Sequence, residues 1–472
     1  MRTIVIDPVT RIEGHAKITI RLDEDGKVAD TAFHVTQVRG FEAFTEGRPF
    51  YEMPAITARI CGICPISHLL ASVKACDAIM SVRIPPTAAM LRELLHCGQI
   101  TQSHALSFFH LSSPDMLLGF DSDPARRNVV GVIEDHPALA KDGVTLRKFG
   151  QQVIESLAKE RIHPSWTVPG GVNAPLDRAV RDRILAGLPE AKAIALRTLS
   201  FYKGVVDQFS DEIANFGTTP SMYAGLVDDG GNLQLYDGGL RFVDAAGKVV
   251  VDRMAAEDYQ QFIGEATIPT SYLKAPYFKP LGFPGGVYRV GPLARLNVAD
   301  RCGTPLADAE FDEFHQRFGA PAESSFHFHY ARLVEIIYAL ERMETLLNDP
   351  AILDRHVRAT AGVNALEGVG MAEAPRGVLI HHYKVNEDGA IVWVNLIVAT
   401  GHNNLAISRG VDQVARRYVD GGKFKEGMLN RVSAVVRCYD PCLSCSTHAA
   451  DQFPLDIQLV NPAGEMVDRI RT

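Results

Sequence analysis

Eight cysteines, at positions 61, 64, 76, 97, 302, 438, 442 and 445, are the residues of this sequence whose type and spacing could do chemistry. They are too sparse for a disulfide scaffold and too clustered to be chance. Arg59-Ile-Cys61-Gly-Ile-Cys64-Pro-Ile-Ser-His68 and Asp440-Pro-Cys442-Leu-Ser-Cys445-Ser-Thr-His448 are two Cys-x2-Cys pairs, each followed within four residues by a histidine. Such a turn can aim two thiolates at one ion, and two turns supply four sulfurs suited to zinc, iron–sulfur or another thiophilic metal. A structural zinc site stays open on spacing alone. Against it, zinc-ribbon pairs sit about 15–20 residues apart, whereas Cys64 and Cys442 are 378 positions apart. A chain this long needs no metal staple. Arg59, Asp440 and two histidines beside the thiolates would also be costly around a closed ion unless each had a partner, which points to a reactive centre.

The elements that must position these residues belong to an ordinary globular chain. It has 472 residues, 46% hydrophobic and 22% charged, with a net charge of −8. That balance excludes disorder and gives no footprint for nucleic acid or an anionic membrane. The uncharged stretch Cys97 to Pro114 holds His104, His110, two glutamines and several hydroxyls, so a buried helix is expected there and no membrane span. Charges at Arg2, Asp7, Arg11 and Glu13 interrupt any apolar run of a secretory signal, and a cytoplasmic location is the expectation.

Alternation over Ala16–Leu22 and Val28–Val35 around Asp23-Glu-Asp-Gly26 predicts an antiparallel hairpin. Helical spacing runs from Pro54 to Met80 and from Pro85-Pro86 toward Ser112, two helices expected to pair. Residues 176–218 read as helix interrupted near Gly187-Leu-Pro189, and 219–302 as an irregular α+β insertion. Ala322 to Asn348 is an amphipathic helix with Ser324 and Ser325 as candidate caps and Leu333, Ile336, Ile337, Leu340 and Met343 on one face. A hairpin is expected over Gly377–Val398 around Asn386-Glu-Asp-Gly389, then a helix over Asn404–Tyr418. The fold class is α+β, predominantly helical, with a central bundle of long helices and small antiparallel β layers at its periphery. No repeat or linker divides the chain, so residues 1–448 are expected to form one unit.

The paired cysteine motifs, with Asp7-Pro-Val-Thr-Arg-Ile-Glu13-Gly-His15, Arg39-Gly-Phe-Glu42, Ser103-His104 through Asp115, and Ala374-Pro-Arg376-Gly, resemble the large subunit of [NiFe]-hydrogenases over nearly the whole chain. The stretches Gly98–Asp115 and Tyr288–Asn297 are most similar to its cytoplasmic, bidirectional, NAD-linked branch. The resemblance implies the hydrogenase large-subunit fold and reversible splitting of dihydrogen. It implies that Cys61, Cys64, Cys442 and Cys445 bind nickel, and that Cys64 and Cys445 bridge to an iron carrying carbon monoxide and two cyanides. It makes Cys442 the base that takes the proton and Glu13 the next proton carrier. Without it, Glu13 would read as a surface carboxylate beside Arg11.

The same resemblance places Arg376 over the open coordination position, oriented by Asp115 and Asp440, because a buried guanidinium needs such partners. The resemblance also implies that His68 stands beside a bridging cysteine and that Thr400 is a hydroxyl donor near an iron cyanide; either could instead be a satisfied core polar residue. Glu42, the Leu396 carbonyl and His448 are implied ligands of a buried magnesium. Cys76, Cys97, Cys302 and Cys438 lack mutual ligand spacing and read as small buried hydrophobes. The chain then has no cysteine set for an iron–sulfur cluster, and Gly368-Val-Gly370 lacks the rest of a dinucleotide-binding turn. Electrons must leave through another polypeptide. The resemblance supplies a small subunit with an iron–sulfur cluster and diaphorase subunits with FMN, iron–sulfur clusters and the NAD site. The 24 residues after His448, with strands expected at Leu455–Val460 and Glu465–Ile470, resemble the C-terminal extension that a maturation endopeptidase removes after nickel-insertion proteins have acted. The other readings are a hydrogen-sensing regulatory hydrogenase, a hydrogenase with another electron acceptor and a zinc-stapled interaction protein. The quinone-reactive subunit of respiratory complex I lacks the nickel cysteines, all four of which are present here.

Overall fold

The structure, a computed structural model, describes residues 2–420, 425–448, 456–460 and 466–471. Its N-terminal layer is an antiparallel sheet of β1 (Arg2–Ile6), β2 (Ala16–Leu22) and β3 (Val28–Val35), in register at Ile4–Ile20 and Ile18–Phe33. Ala16, Ile18, Ile20 and Leu22 are buried on one face, as the alternation requires, and the Asp23 carboxylate accepts the Lys27 N–H to close the expected turn.

The helix expected from Pro54 to Met80 is broken at the first cysteine motif. Short turns over Met53–Ile60 end in extended Cys61, and α1 (Pro65–Met80) begins directly after Cys64 with proline in its first turn. The break has a local cause: the Ile63 and Cys64 N–H groups donate to Cys61 Sγ at 3.2 and 3.3 Å, so they cannot serve a continuous helix. The next helix, α2 (Pro86–Leu106), also ends early, because Ser107–Ser112 winds into a wider π turn before a short helix over Ser113–Leu118.

The chief partners of α2 are α3 (Pro137–Ala158), a helix not expected from the sequence, and a later helix, in place of the expected α1. Glycine explains the first contact: a Cβ on Gly150 would sit 2.7 Å from the Gly98 carbonyl oxygen, so the two backbones touch where neither side chain exists. Helix α4 (Arg178–Gln208) runs unbroken through Gly187-Leu-Pro189, correcting the expected interruption. Proline inside a helix costs about 3 kcal/mol. Burial of Ile184, Leu188, Ile194, Leu199 and Tyr202 along one face offsets it, at about 1.5–3 kcal/mol per large side chain.

Residues 219–302 are α+β as expected, but ordered into defined sheets. Strands β4 (Met222–Val227), β5 (Gly239–Val243), β6 (Val249–Met254) and β9 (Tyr288–Arg289) form a sheet in the order β9-β4-β5-β6, and β7 (Ile263–Ile268) pairs with β8 (Ser271–Phe278). After α5 (Pro292–Val298) comes α6 (Phe328–Asn348), the second helix packed on α2. Ser324 caps a 3-10 turn ahead of α6 by accepting the Phe326 N–H, while the Ser325 hydroxyl donates to the Gly217 carbonyl and caps nothing. Strands β10 (Glu367–Ala374), β11 (Gly377–Val385) and β12 (Ile391–Ile397) make a third sheet, which shares a small core with β4 and β5. Helix α1 lies across β10, where a Cβ on Gly370 would fall 2.0 Å from the Ala71 carbonyl oxygen. Close packing is thus the role of Gly368-Val-Gly370.

Helices α7 (Asn404–Tyr418) and α8 (Glu426–Tyr439) close the body, and β13 (Asp456–Val460) pairs with β14 (Met466–Arg471) beyond it. The main core includes Val9 and all four motif cysteines. Among the described residues no helix is long and apolar enough to cross a membrane.

A single carboxylate ties the chain ends to the bundle. Asp115 Oδ1 lies 2.5 Å from Arg11 Nη2, its Oδ2 2.7 Å from Arg437 Nε, and Asn430 donates to it at 3.1 Å. Burial would raise this carboxyl, but Arg437 and Arg11 outweigh burial and hold it below the usual range. Its stabilising contribution is therefore full above the unfolded value of about 3.9 and is lost as pH falls through the lower folded value. Asp115→Asn should cost about 3–5 kcal/mol at pH 7, by stranding buried arginines. In urea unfolding the gap to wild type should narrow below about pH 4; a gap independent of pH contradicts this account.

Candidate metal centre

Two turns from opposite ends of the sequence build the site. The first precedes α1; the second follows α8, which Asp440 ends in the left-handed region at φ 51°, a conformation that aspartate tolerates better than most residues. The N-terminal segment docks on the second turn backbone to backbone: Glu13 N–H donates to the Pro441 carbonyl and Leu443 N–H to the Glu13 carbonyl. Gly14, at φ 85°, permits this approach, since a Cβ there would lie 2.8 Å from Leu443 Cβ. The Glu13 carboxylate accepts the Ser444 N–H at 3.2 Å and the Ser444 hydroxyl. Glu13 is thereby held beside Cys442 as a neighbour in a β-bridge.

Cys61 Sγ and Cys442 Sγ are 3.4 Å apart, and Cys64 Sγ and Cys445 Sγ 3.8 Å. All four sulfurs lie within 4.8 Å of one another and are buried, and none is in a disulfide. They are the one His/Cys/Asp/Glu group among the described residues placed to hold a metal. Hydrogen bonds from the other three thiols hold Cys64 well below its ordinary value, whereas burial and the adjacent sulfurs push Cys442 and Cys445 well up. Four thiolates therefore cannot ionise together here without a cation, and a soft divalent metal is the cation that thiolates prefer. The donor set fits a nickel–iron centre.

Arg376 is buried over this group. Its Nη2 lies 2.8 Å from Asp440 Oδ2, its Nε donates to the Asp440 carbonyl, and its Nη1 is 3.4 Å from the Ser103 hydroxyl. Burial alone would lower it, but Asp440 and the sulfurs of Cys442, Cys64 and Cys61 overcome that and keep the guanidinium charged. The expected convergence of two carboxylates is corrected: Asp115 is committed to Arg11 and Arg437, and no Asp115–Arg376 ion pair forms among the described residues. Ser103, on α2, stands there instead. The motif Ser103-His104 through Asp115 contained that serine, but the rule that a buried arginine needs carboxylates favoured the aspartate.

Thr400 Oγ1 accepts the Cys442 N–H at 2.9 Å, fixing the second turn. His68 Nδ1 pairs with His381 Nε2 at 3.2 Å, and His68 Nε2 is buried without a hydrogen-bond partner. Glu42 Oε1 accepts the Leu396 N–H at 2.8 Å and lies 3.1 Å from Lys274 Nζ, which is also 3.1 Å from Glu265. Burial raises the Glu42 carboxyl despite Lys274. His448 Nε2 pairs with the Cys445 carbonyl while its Nδ1 is buried and unpartnered. Glu42 and Glu265 share the one Lys274 ammonium, and nothing in the spacing of Lys274 and Glu265 had marked them. Cys76, Cys97, Cys302 and Cys438 are buried thiols raised by burial, as expected of structural cysteines.

Comparison with known proteins matches this arrangement. Residues 3–38 match a family described as HoxL-like, and residues 39–121 and 236–448 match the nickel-dependent hydrogenase family. The chain is 42% identical to the beta subunit of the NAD-reducing hydrogenase HoxS of Cupriavidus necator, covering 99% of each chain. It is 45% identical to a subunit of the F420-non-reducing hydrogenase vhu of Methanocaldococcus jannaschii, covering 88% of this chain and 99% of that one. A crystal structure of NAD+-reducing [NiFe]-hydrogenase in the H2-reduced state superposes with a TM-score of 0.92 at 43% identity, covering 95% of this chain and 100% of that one. With its motif cysteines gathered into one buried group and both motifs inside the matched residues, this chain belongs to the nickel-dependent hydrogenase family.

Proposed function

We propose that this chain is the catalytic subunit of an NAD-linked [NiFe]-hydrogenase that reversibly splits dihydrogen. The observation that carries the reading is the four-thiolate group with Glu13 bridged to Cys442 and Arg376 charged above it. Cys61, Cys64, Cys442 and Cys445 would hold nickel, and Cys64 and Cys445 would share an iron bearing carbon monoxide and two cyanides. When bound, that centre supplies the polarising site at which dihydrogen is cleaved heterolytically. The Cys442 thiolate accepts the proton, and Glu13, which the Ser444 hydroxyl and N–H hold beside it, carries the proton outward. Arg376, fixed by Asp440, keeps a positive charge beside the sulfurs. Thr400 fixes the Cys442 backbone and would present its hydroxyl near an iron cyanide. Glu42, the Leu396 carbonyl and His448 would hold magnesium and pin the C-terminal turn.

The four remaining cysteines are dispersed, so electrons would pass to a small subunit with an iron–sulfur cluster and on to diaphorase subunits with FMN, iron–sulfur clusters and NAD. A cytoplasmic setting, where NAD is available, follows from that reading. The similarity to the NAD-reducing relative over 99% of both chains supports this acceptor. Residues 1–448 would be the working unit. Residues 449–472 would be removed by an endopeptidase after nickel insertion, a reading supported by the burial of His448 at the end of the second cysteine motif.

The purified complex should show infrared bands of iron-bound carbon monoxide and cyanide and sustain NADH formation under hydrogen. Zinc without those bands would leave the stapled interaction protein, and turnover only with another acceptor would overturn the NAD assignment. Cys442→Ser should lower hydrogen uptake by about 100-fold or more, and metal-loaded Glu13→Gln should lower hydrogen–deuterium exchange by a similar factor. Near-normal exchange in that variant removes Glu13 from the proton route. The intact mass of the large subunit in active enzyme should end at His448; a 472-residue mass in fully active material contradicts processing.

A further inference from the structure

A second arginine grips the turn that carries Arg376. Strands β10 and β11 pair up to Ala374 and Gly377, so Pro375 and Arg376 are the two residues of a hairpin turn. The buried carbonyls at such a tip need partners from outside the ladder, and α5 supplies them. Arg295 Nη1 donates to the Ala374 carbonyl at 3.0 Å, and its Nη2 donates to the Pro375 carbonyl at 3.2 Å. Gly291, which starts the same helix, lies against the next carbonyl, since a Cβ there would be 2.7 Å from the Arg376 oxygen. Three successive carbonyls thus meet one helix.

Arg295 is itself held in place. Glu335 accepts from its Nε at 2.6 Å and from its Nη2 at 2.7 Å, and Glu373 accepts from its Nη1 at 2.6 Å. With the two carbonyls, these bonds use all five N–H groups of the guanidinium. All three side chains are wholly buried. Behind Glu335 stands His104 on α2, its Nε2 2.7 Å from Glu335 Oε2. Burial lowers His104 to about 4 despite Glu335, so near pH 7 it is a neutral donor to that carboxylate. The residue before it, Ser103, is the one that meets Arg376 Nη1. Adjacent residues of α2 therefore serve both arginines.

We infer that Arg295 is a positioning residue: its guanidinium fixes the Pro375-Arg376 turn and so sets the place of the Arg376 guanidinium beside the four sulfurs. A lysine would keep the charge but could not reach two carboxylates and two carbonyls from one nitrogen. The inference rests on the reading of Arg376 as a group that acts at the metal centre. It extends that reading to a residue on another element.

The test is a double-mutant cycle on hydrogen–deuterium exchange by the purified complex, with nickel content and the infrared bands recorded to show that the centre is assembled. Arg295→Lys should lower exchange by about 10–100-fold, as a small displacement of a positioned group does. Arg376→Met, which removes the head group, should also lower it. The double variant should lie within about 2-fold of Arg376→Met alone, because the anchor then has nothing to place. Losses that multiply in the double variant, or wild-type exchange in Arg295→Lys, overturn the inference and leave Arg295 a core ion pair. If Arg295→Lys does not assemble, Glu335→Gln takes its place in the cycle: it keeps the side chain's shape but turns an amide N–H toward Arg295, and its loss should likewise vanish in Arg376→Met. Wild-type exchange in Arg376→Met alone would instead remove the reading of Arg376, and this inference with it.

Discussion

Four thiolates brought within 4.8 Å of one another in a buried core repel, and the rest of the structure is arranged around that repulsion. Negative charge cannot be left in a low-dielectric interior without compensation. A bound soft cation is the largest available compensation, and the Arg376 guanidinium is the next. The protein adds backbone donors: Ile63 and Cys64 N–H groups to Cys61, while Thr400 takes the Cys442 N–H. Each fixes a turn in the geometry that a metal would need before the metal arrives.

That requirement reaches the ends of the chain. The sulfurs come from turns that precede α1 and follow α8, so the fold must bring distant sequence together. It does so through glycines that let backbones touch, at Gly98 and Gly150 between α2 and α3, at Gly370 between β10 and α1, and at Gly14 against the second turn. It also does so through the Asp115 carboxylate between Arg11 and Arg437. Glu13 and the four motif cysteines are in this way placed by the same contacts that hold the termini.

Much of this was legible from residue types. The four cysteines, Glu13, Arg376 and Asp440 meet because their motifs carry the chemistry locally, and both hairpins and the Asn404–Tyr418 helix followed from period-two and period-3.6 patterns. What was not legible was set by tertiary contacts. Helical periodicity could not show that Cys61 would take two N–H groups out of a helix, nor that burial would carry α4 through Pro189. Charge pairing rules suggested Asp115 for Arg376, but Asp115 was closer to two other arginines and a serine fills the place. Lys274, Glu265 and His381 have no motif of their own. They matter only through the neighbours that the third sheet and the β7–β8 pair give them.

The central claim is that these four sulfurs hold nickel next to iron. Nickel-edge X-ray absorption on the purified complex tests it directly. The account predicts nearest neighbours dominated by sulfur and an iron atom beyond them. Nickel ringed by nitrogen and oxygen, or a site filled with zinc and lacking iron, would contradict it.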